Sequence, residues 1–269
     1  SKRGDVTIGW RMSLPPQYSL DAASYTAIHN QFHRAIKDLP DWTMVHRQDV
    51  FFRRKYKSKT GRGFLDRSYQ NHFRGREYLE HEQYVFLTLT NKFTAVREPD
   101  SCGVLGMSAK LREGCHEDIY RIGAIGEEFI YKLTDTRVIS AERLTDQELV
   151  ERMYSHMSMG TGDGILSDID MYPDHMEANG KQMWAYVINE GKHLPSELQD
   201  SRKVEKVSTP LSALGLSLGA SLGTLLDCEH IVNSYVLMIP RKEAISELEA
   251  RQKKMFSMSS RDSENRKNN

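Results

Sequence analysis

Basic and aromatic residues crowd one stretch of this chain. Between positions 46 and 76 stand Arg47, Arg53, Arg54, Lys55, Lys57, Lys59, Arg62, Arg67, Arg74 and Arg76, against only Asp49 and Asp66, with Phe51, Phe52, Tyr56, Phe64, Tyr69 and Phe73 interleaved. Cations track a phosphate backbone and aromatic rings give bases a stacking platform, so this is the composition of a single-strand-binding groove. Three other arrangements use the same residues. The rings could form a core whose solvated faces are the cations, the patch could answer acidic excess elsewhere in the chain, or it could dock an acidic partner protein. Arg47, Arg53, Arg54, Lys55, Lys57, Lys59 and Arg62 are the candidate contact surface, for protein or for nucleic acid.

Other reactive types lack the spacing their chemistry needs. His29 and His33, four apart, could chelate zinc from one helix face, but Asn30 stands where a zincin carries Glu. Cys102, Cys115-His116 and Cys228-x-His230 lack the regular spacing of a zinc set and read as buried or half-buried thiols. A calcium loop opening at Asp168 would need Gly at Pro173 and Glu at Asn179, so Asp163, Asp168 and Asp170 read as loop and strand-end acids. A P-loop needs Gly-Lys followed by Ser or Thr, with another Gly five positions before. Gly180-Lys181 and Gly191-Lys192 meet neither condition, and Gly160-Thr161-Gly162-Asp163-Gly164 has no lysine and an acid that would repel phosphate. No catalytic, metal or cofactor residue is expected in this chain.

The elements that must carry these residues follow from periodicity. Val6, Ile8, Trp10, Met12 and Leu14 alternate as in a strand with one buried face, ended by Pro15-Pro16. Ser19 suits an N-cap, and Ile28, Phe32, Ile36 and Leu39 recur at helical spacing up to Pro40. Trp42 to Phe52 completes a β-α-β opening. Leu65, Tyr69 and Phe73 predict a short helix, and Gln83 to Thr90 a central strand apolar on both faces. Residues 97–116 read as irregular. Ile119, Ile122, Gly126, Phe129 and Leu133 form a helical stripe, and Thr145-x-x-Glu148 is a capping box that opens another helix. Gln182 to Ile188 and His230 to Ile239 are strand candidates, and Leu211 to Leu226 a helical one. Arg241 to Phe256 reads as a charged helix with Ile245, Leu248 and Met255 inward.

This pattern predicts an α+β fold, with mixed sheet or sheets built from β-α-β units packed with helices. The expected organisation is an N-terminal β-α-β half over 1–95, a mainly helical connecting segment over 96–160, a second α/β half over 161–256 and a polar linker over 257–269. Whether the halves share one sheet stays open.

The blocks GDVTIGWRMSLPPQYSLDAASYTAIHNQFHRAIKDLP, VHRQDVFF, FLDRSYQNHFRGREYLEHEQYVFLT and EHIVNSYV resemble the N-terminal half of TraG-type conjugative-transposon ATPases. That family is related to the ATPases that energise type IV secretion channels. Because the P-loop is absent here, the resemblance implies the non-catalytic N-terminal region of a longer motor, with the linker leading to a missing ATPase domain. ATP and magnesium are expected only for that module. The implied role is docking and assembly. The implied partners are inner-membrane subunits of a conjugation channel, the chain's own C-terminal ATPase module and further copies of itself, with DNA as the alternative.

Composition limits the classes available. The chain of 269 residues is 39% hydrophobic and 28% charged, enough for one large core or two smaller ones. Its formal net charge of zero removes any argument from overall charge for nucleic acid or membrane. Three widely spaced cysteines suit a reducing compartment better than a disulfide framework. Leu211 to Leu226 is shorter than the roughly 20 residues a spanning helix needs and is interrupted by Ser and Thr. The expected location is the cytoplasm, at the inner membrane through partners.

Overall fold

A computed structural model describes residues 5–15, 21–59, 63–90, 115–135, 137–157, 168–188 and 226–267. Strand β1 (Val6–Ser13) realises the opening alternation, with Ile8, Trp10 and Met12 buried on one face. Helix α1 (Ala22–Lys37) is capped by Asp21 rather than Ser19. The Asp21 carboxylate accepts from the Ser24 amide at 2.9 Å, satisfying one of the amides that a helix start leaves open. Strand β2 (Thr43–Lys55) and strand β3 (Glu77–Leu89) pair along their whole lengths, with helix α2 (Phe64–Phe73) in the connection between them.

Helix α3 (Cys115–Thr134), strand β4 (Ser140–Arg143) and helix α4 (Asp146–Met157) follow. Three short strands come next, β5 (Asp170–Met171), β6 (Met176–Ala178) and β7 (Lys181–Met183). Strand β8 (His230–Leu237) and helix α5 (Arg241–Lys267) complete the described chain.

The fold is α+β. A five-stranded sheet runs in the order β4-β1-β3-β2-β8, and β5, β6 and β7 form a separate three-stranded sheet. Every bonded pair is antiparallel. Both β1 and β2 are antiparallel to β3, which lies between them, so the two run parallel without touching. The β-α-β opening is therefore split. Strand β8, from the second half of the chain, pairs with β2 and so joins the N-terminal sheet.

One face of the large sheet holds the main core. Ile8, Trp10, Met12, Val45, Val85, Leu87 and Leu89 pack there with Ile28 and Ala35 of α1 and Ile122, Phe129 and Leu133 of α3. Gly126 lets α3 lie close, because a Cβ at that position would meet the side chains of Ile8 and Trp10. The other face carries a smaller cluster of Val50, Tyr84 and Leu144, with Leu149 of α4 and Phe52, Phe86 and Ile231 against it. A Cβ on Gly9 would stand 2.6 Å from Phe86 Cδ1 and 3.0 Å from Leu149 Cδ2, which explains the glycine in β1. The predicted capping box is present: Glu148 Oε2 accepts from the Thr145 amide and hydroxyl, each at 2.8 Å.

Several expectations need correcting. Strand β7 stops at Met183, so the segment to Ile188 is not strand. Strand β4 has no clear sequence period, being four residues on a sheet edge. Ile245, Leu248 and Met255, expected inward, are exposed at 45%, 65% and 72%. The expected linker from 257 is helical to Lys267 as the end of α5. The candidate helix Leu211 to Leu226, apart from Leu226, lies outside the described residues, as do 97–114 of the segment read as irregular, whose last two residues, 115 and 116, instead open α3.

Candidate functional site

Beyond Phe51 and His81 the sheet narrows to a two-stranded ribbon, because β8 and β1 pair with β2 and β3 only up to that level. The register sets Arg53 opposite Leu79, Arg54 opposite Tyr78 and Lys55 opposite Glu77. Arg53 and Lys55 reach Glu77 at 3.5 and 3.7 Å, and Arg54 reaches Glu80 at 3.0 Å. Arg53 also donates to the Asp227 carbonyl, and its amide donates to the Glu229 carboxylate. Arg47 is elsewhere. It points into the sheet face that carries α1, with Nε 3.7 Å from Asp49 and its guanidinium over the Phe32 ring.

At the ribbon's end α2 folds onto residues 56–59. The Tyr56 amide donates to the Arg76 carbonyl and the Gly75 amide to the Tyr56 carbonyl. Gln70 Oε1 accepts from the Tyr56 hydroxyl and the Lys59 amide, both at 2.8 Å, and Arg74 donates to Ser58. Tyr56 and Tyr69 pack against Phe73, with Arg76 over that ring. Lys57 and Lys59 are exposed, and Arg62 lies outside the described residues. The structure thus brings Lys57 and Lys59 together with α2 at the tip. It separates them from Arg47 and matches Arg53, Arg54 and Lys55 with glutamates of β3.

Two polar clusters escaped sequence reasoning. On the α1 side, Asp49 is fully buried and its Oδ1 accepts from His81 Nε2 and Gln83 Nε2, each at 2.8 Å. The Phe51 ring stacks between His81 and His230, at 4.5 and 4.4 Å. A carboxylate-histidine pair is the core of many general bases. Here the histidine side chain is only 2% exposed, so the pair ties β2 to β3 instead of facing a reactant.

On the opposite face, Arg152 of α4 donates through Nε and Nη2 to Gln48 Oε1 at 3.0 and 2.9 Å and lies over Tyr84. Gln48 donates to Asn233 Oδ1, which also accepts from His46, and His46 stacks on Tyr235. Burial holds His46 below the usual imidazole range. Burial, and then the charge of Arg152, do the same to His156. Burial and the hydrogen bond to Glu82 push the Tyr84 hydroxyl up. The hydrogen bonds of this cluster tie α4 and β8 to β2.

The remaining candidates stand apart. His29 and His33 are exposed on α1, and Asp168 and Asp170 are exposed near β5. Cys228, expected to be buried or half-buried, is instead an exposed free thiol. Among the described residues no group of three His, Cys, Asp or Glu side chains is placed to hold a metal ion. No helix among them is long and apolar enough to cross a membrane. No protein-family model matches this chain, and no curated protein matches it at a significant level.

Proposed function

We propose that this chain is a non-catalytic docking and assembly domain of a conjugation (type IV secretion) ATPase, working through contacts with inner-membrane channel subunits and with its own motor module. The observation that carries the reading is α5. This helix of 27 residues is about 40 Å long, and Leu248, Met255 and Phe256 stand 65%, 72% and 68% exposed along it. Apolar side chains exposed together on one helix favour cover by another macromolecule. The family resemblance supplies the kind of cover. Its blocks, scattered along the sequence, fall on β1, α1, β2, α2, β3 and β8, which are neighbours in one sheet and its connections.

The test is co-purification of the full-length parent with the membrane subunits of its own element, followed by cross-linking. Recovery of those subunits is expected, with cross-links on α5, and Leu248→Glu with Phe256→Glu should reduce it. The isolated chain should neither hydrolyse nor tightly bind ATP. Failure to recover any channel subunit, or ATP turnover that survives repurification, would end this reading.

A further inference from the structure

We infer that the tip of the β2–β3 ribbon is a contact surface for an anionic lipid bilayer. Phe64 and Leu65, adjacent at the start of α2, are 78% and 81% exposed, and α2 buries none of its residues. Around them the described tip, residues 56–59 and 63–76, carries Lys57, Lys59, Arg67, Arg74 and Arg76 against Asp66 alone. Five cations to one acid leave the tip strongly positive in a chain whose net charge is zero. Two apolar side chains at the end of a basic projection match a surface of anionic headgroups above hydrocarbon.

The alternative of nucleic-acid stacking is less well served. Of the six rings expected to stack on bases, Phe51 is buried, and Tyr56 and Tyr69 pack on Phe73, which lies under Arg76. The most exposed apolar side chains of the described tip are the phenyl of Phe64 and the leucyl group of Leu65, suited to insertion, with Tyr69 39% exposed beside them. Gln70 holds Tyr56 and Lys59 in place, and Arg74 holds Ser58, so the tip is built in advance of contact. The glutamates of β3 also neutralise the ribbon's flank at Arg53, Arg54 and Lys55, so among the described residues of the ribbon the unmatched positive charge lies towards the tip.

The inference does not rest on the assembly reading, since it concerns the chain alone and a different element. The experiment is sedimentation of the whole chain with vesicles of phosphatidylcholine, or of equimolar phosphatidylcholine and phosphatidylglycerol, at low and physiological salt. Binding to the anionic vesicles is expected, with little to the zwitterionic ones. Lys57→Glu with Lys59→Glu should lower partitioning by at least ~10-fold. Phe64→Ser with Leu65→Ser, at positions already in solvent, should lower it comparably while leaving the circular dichroism unchanged. A Phe64→Trp variant should gain fluorescence that brominated lipid quenches. Absence of binding to anionic vesicles, or binding indifferent to both pairs of substitutions, overturns the inference. So does capture of an oligothymidylate without vesicle binding, which would assign the tip to nucleic acid.

Discussion

Asp49 has no access to solvent, and its Oδ1 is held by His81 and Gln83 from the neighbouring strand. A carboxylate placed so deep is tolerable only because donors replace water. Replacing His81 by Phe would keep the stack on Phe51 but remove one donor, a loss of roughly 1–3 kcal/mol and more for a charged acceptor. Asp49→Asn, which keeps an acceptor oxygen and no charge, should recover part of that in the His81→Phe background. Urea unfolding measures both, and identical stability of the single and double variants would remove this account. The same scale explains what the basic segment concealed. The acids that match Arg53, Arg54 and Lys55 are Glu77 and Glu80, which begin one residue after the segment's end at Arg76. A count of charges along the sequence cannot see a partner across a strand pair.

Helix α3 shows how one element carries two glycines with opposite meanings. A Cβ on Gly126 would collide with Ile8 and Trp10, whereas one on Gly123 would meet nothing within 4 Å. Gly123→Ala should therefore stabilise the protein by about 0.5–1 kcal/mol through helix propensity. Gly126→Ala should destabilise it by about 1–3 kcal/mol through overpacking against the sheet. Thermal or urea midpoints moving in the same direction for both variants would contradict this placement of α3. The stripe of Ile122, Gly126, Phe129 and Leu133 was legible because helical spacing is a local property, but Ile119, expected on it, is 53% exposed. The inward direction expected for Ile245, Leu248 and Met255 was not. Periodicity marks an apolar face on α5, but only the fold decides whether anything lies opposite it.

At the scale of the molecule, three histidines partly shielded from water give stability a pH dependence. Burial holds His46, His156 and His230 below their ordinary value of 6.5. As pH falls below 6.5 the unfolded chain takes up protons that the folded chain refuses until its own lower pKa is reached, so stability is full above 6.5, declines between 6.5 and the folded pKa, and falls no further beneath that. His175 acts in the opposite sense, because hydrogen bonds to Asp174 and Glu177 raise it, but it is one group against three. Unfolding free energy should therefore drop between pH 7.5 and 5.5, and His46→Gln with His156→Gln should flatten the slope (roughly one pH unit on either side of the imidazole value). A slope unchanged in the double variant would refute this assignment.

From residue order alone came the α+β class, the alternating strand β1, the helical stripe of α3 and the capping box of α4. Each depends on neighbours a few positions apart, where backbone geometry sets the period. Tertiary structure decided the order β4-β1-β3-β2-β8, the glutamates that match the ribbon's cations, and the contacts of Asp49 and Arg152. Those choices join side chains as far apart as His46 and Asn233, 187 positions along the chain. Pairing over such separations is selected by the packing of the whole sheet, and no local repeat encodes it.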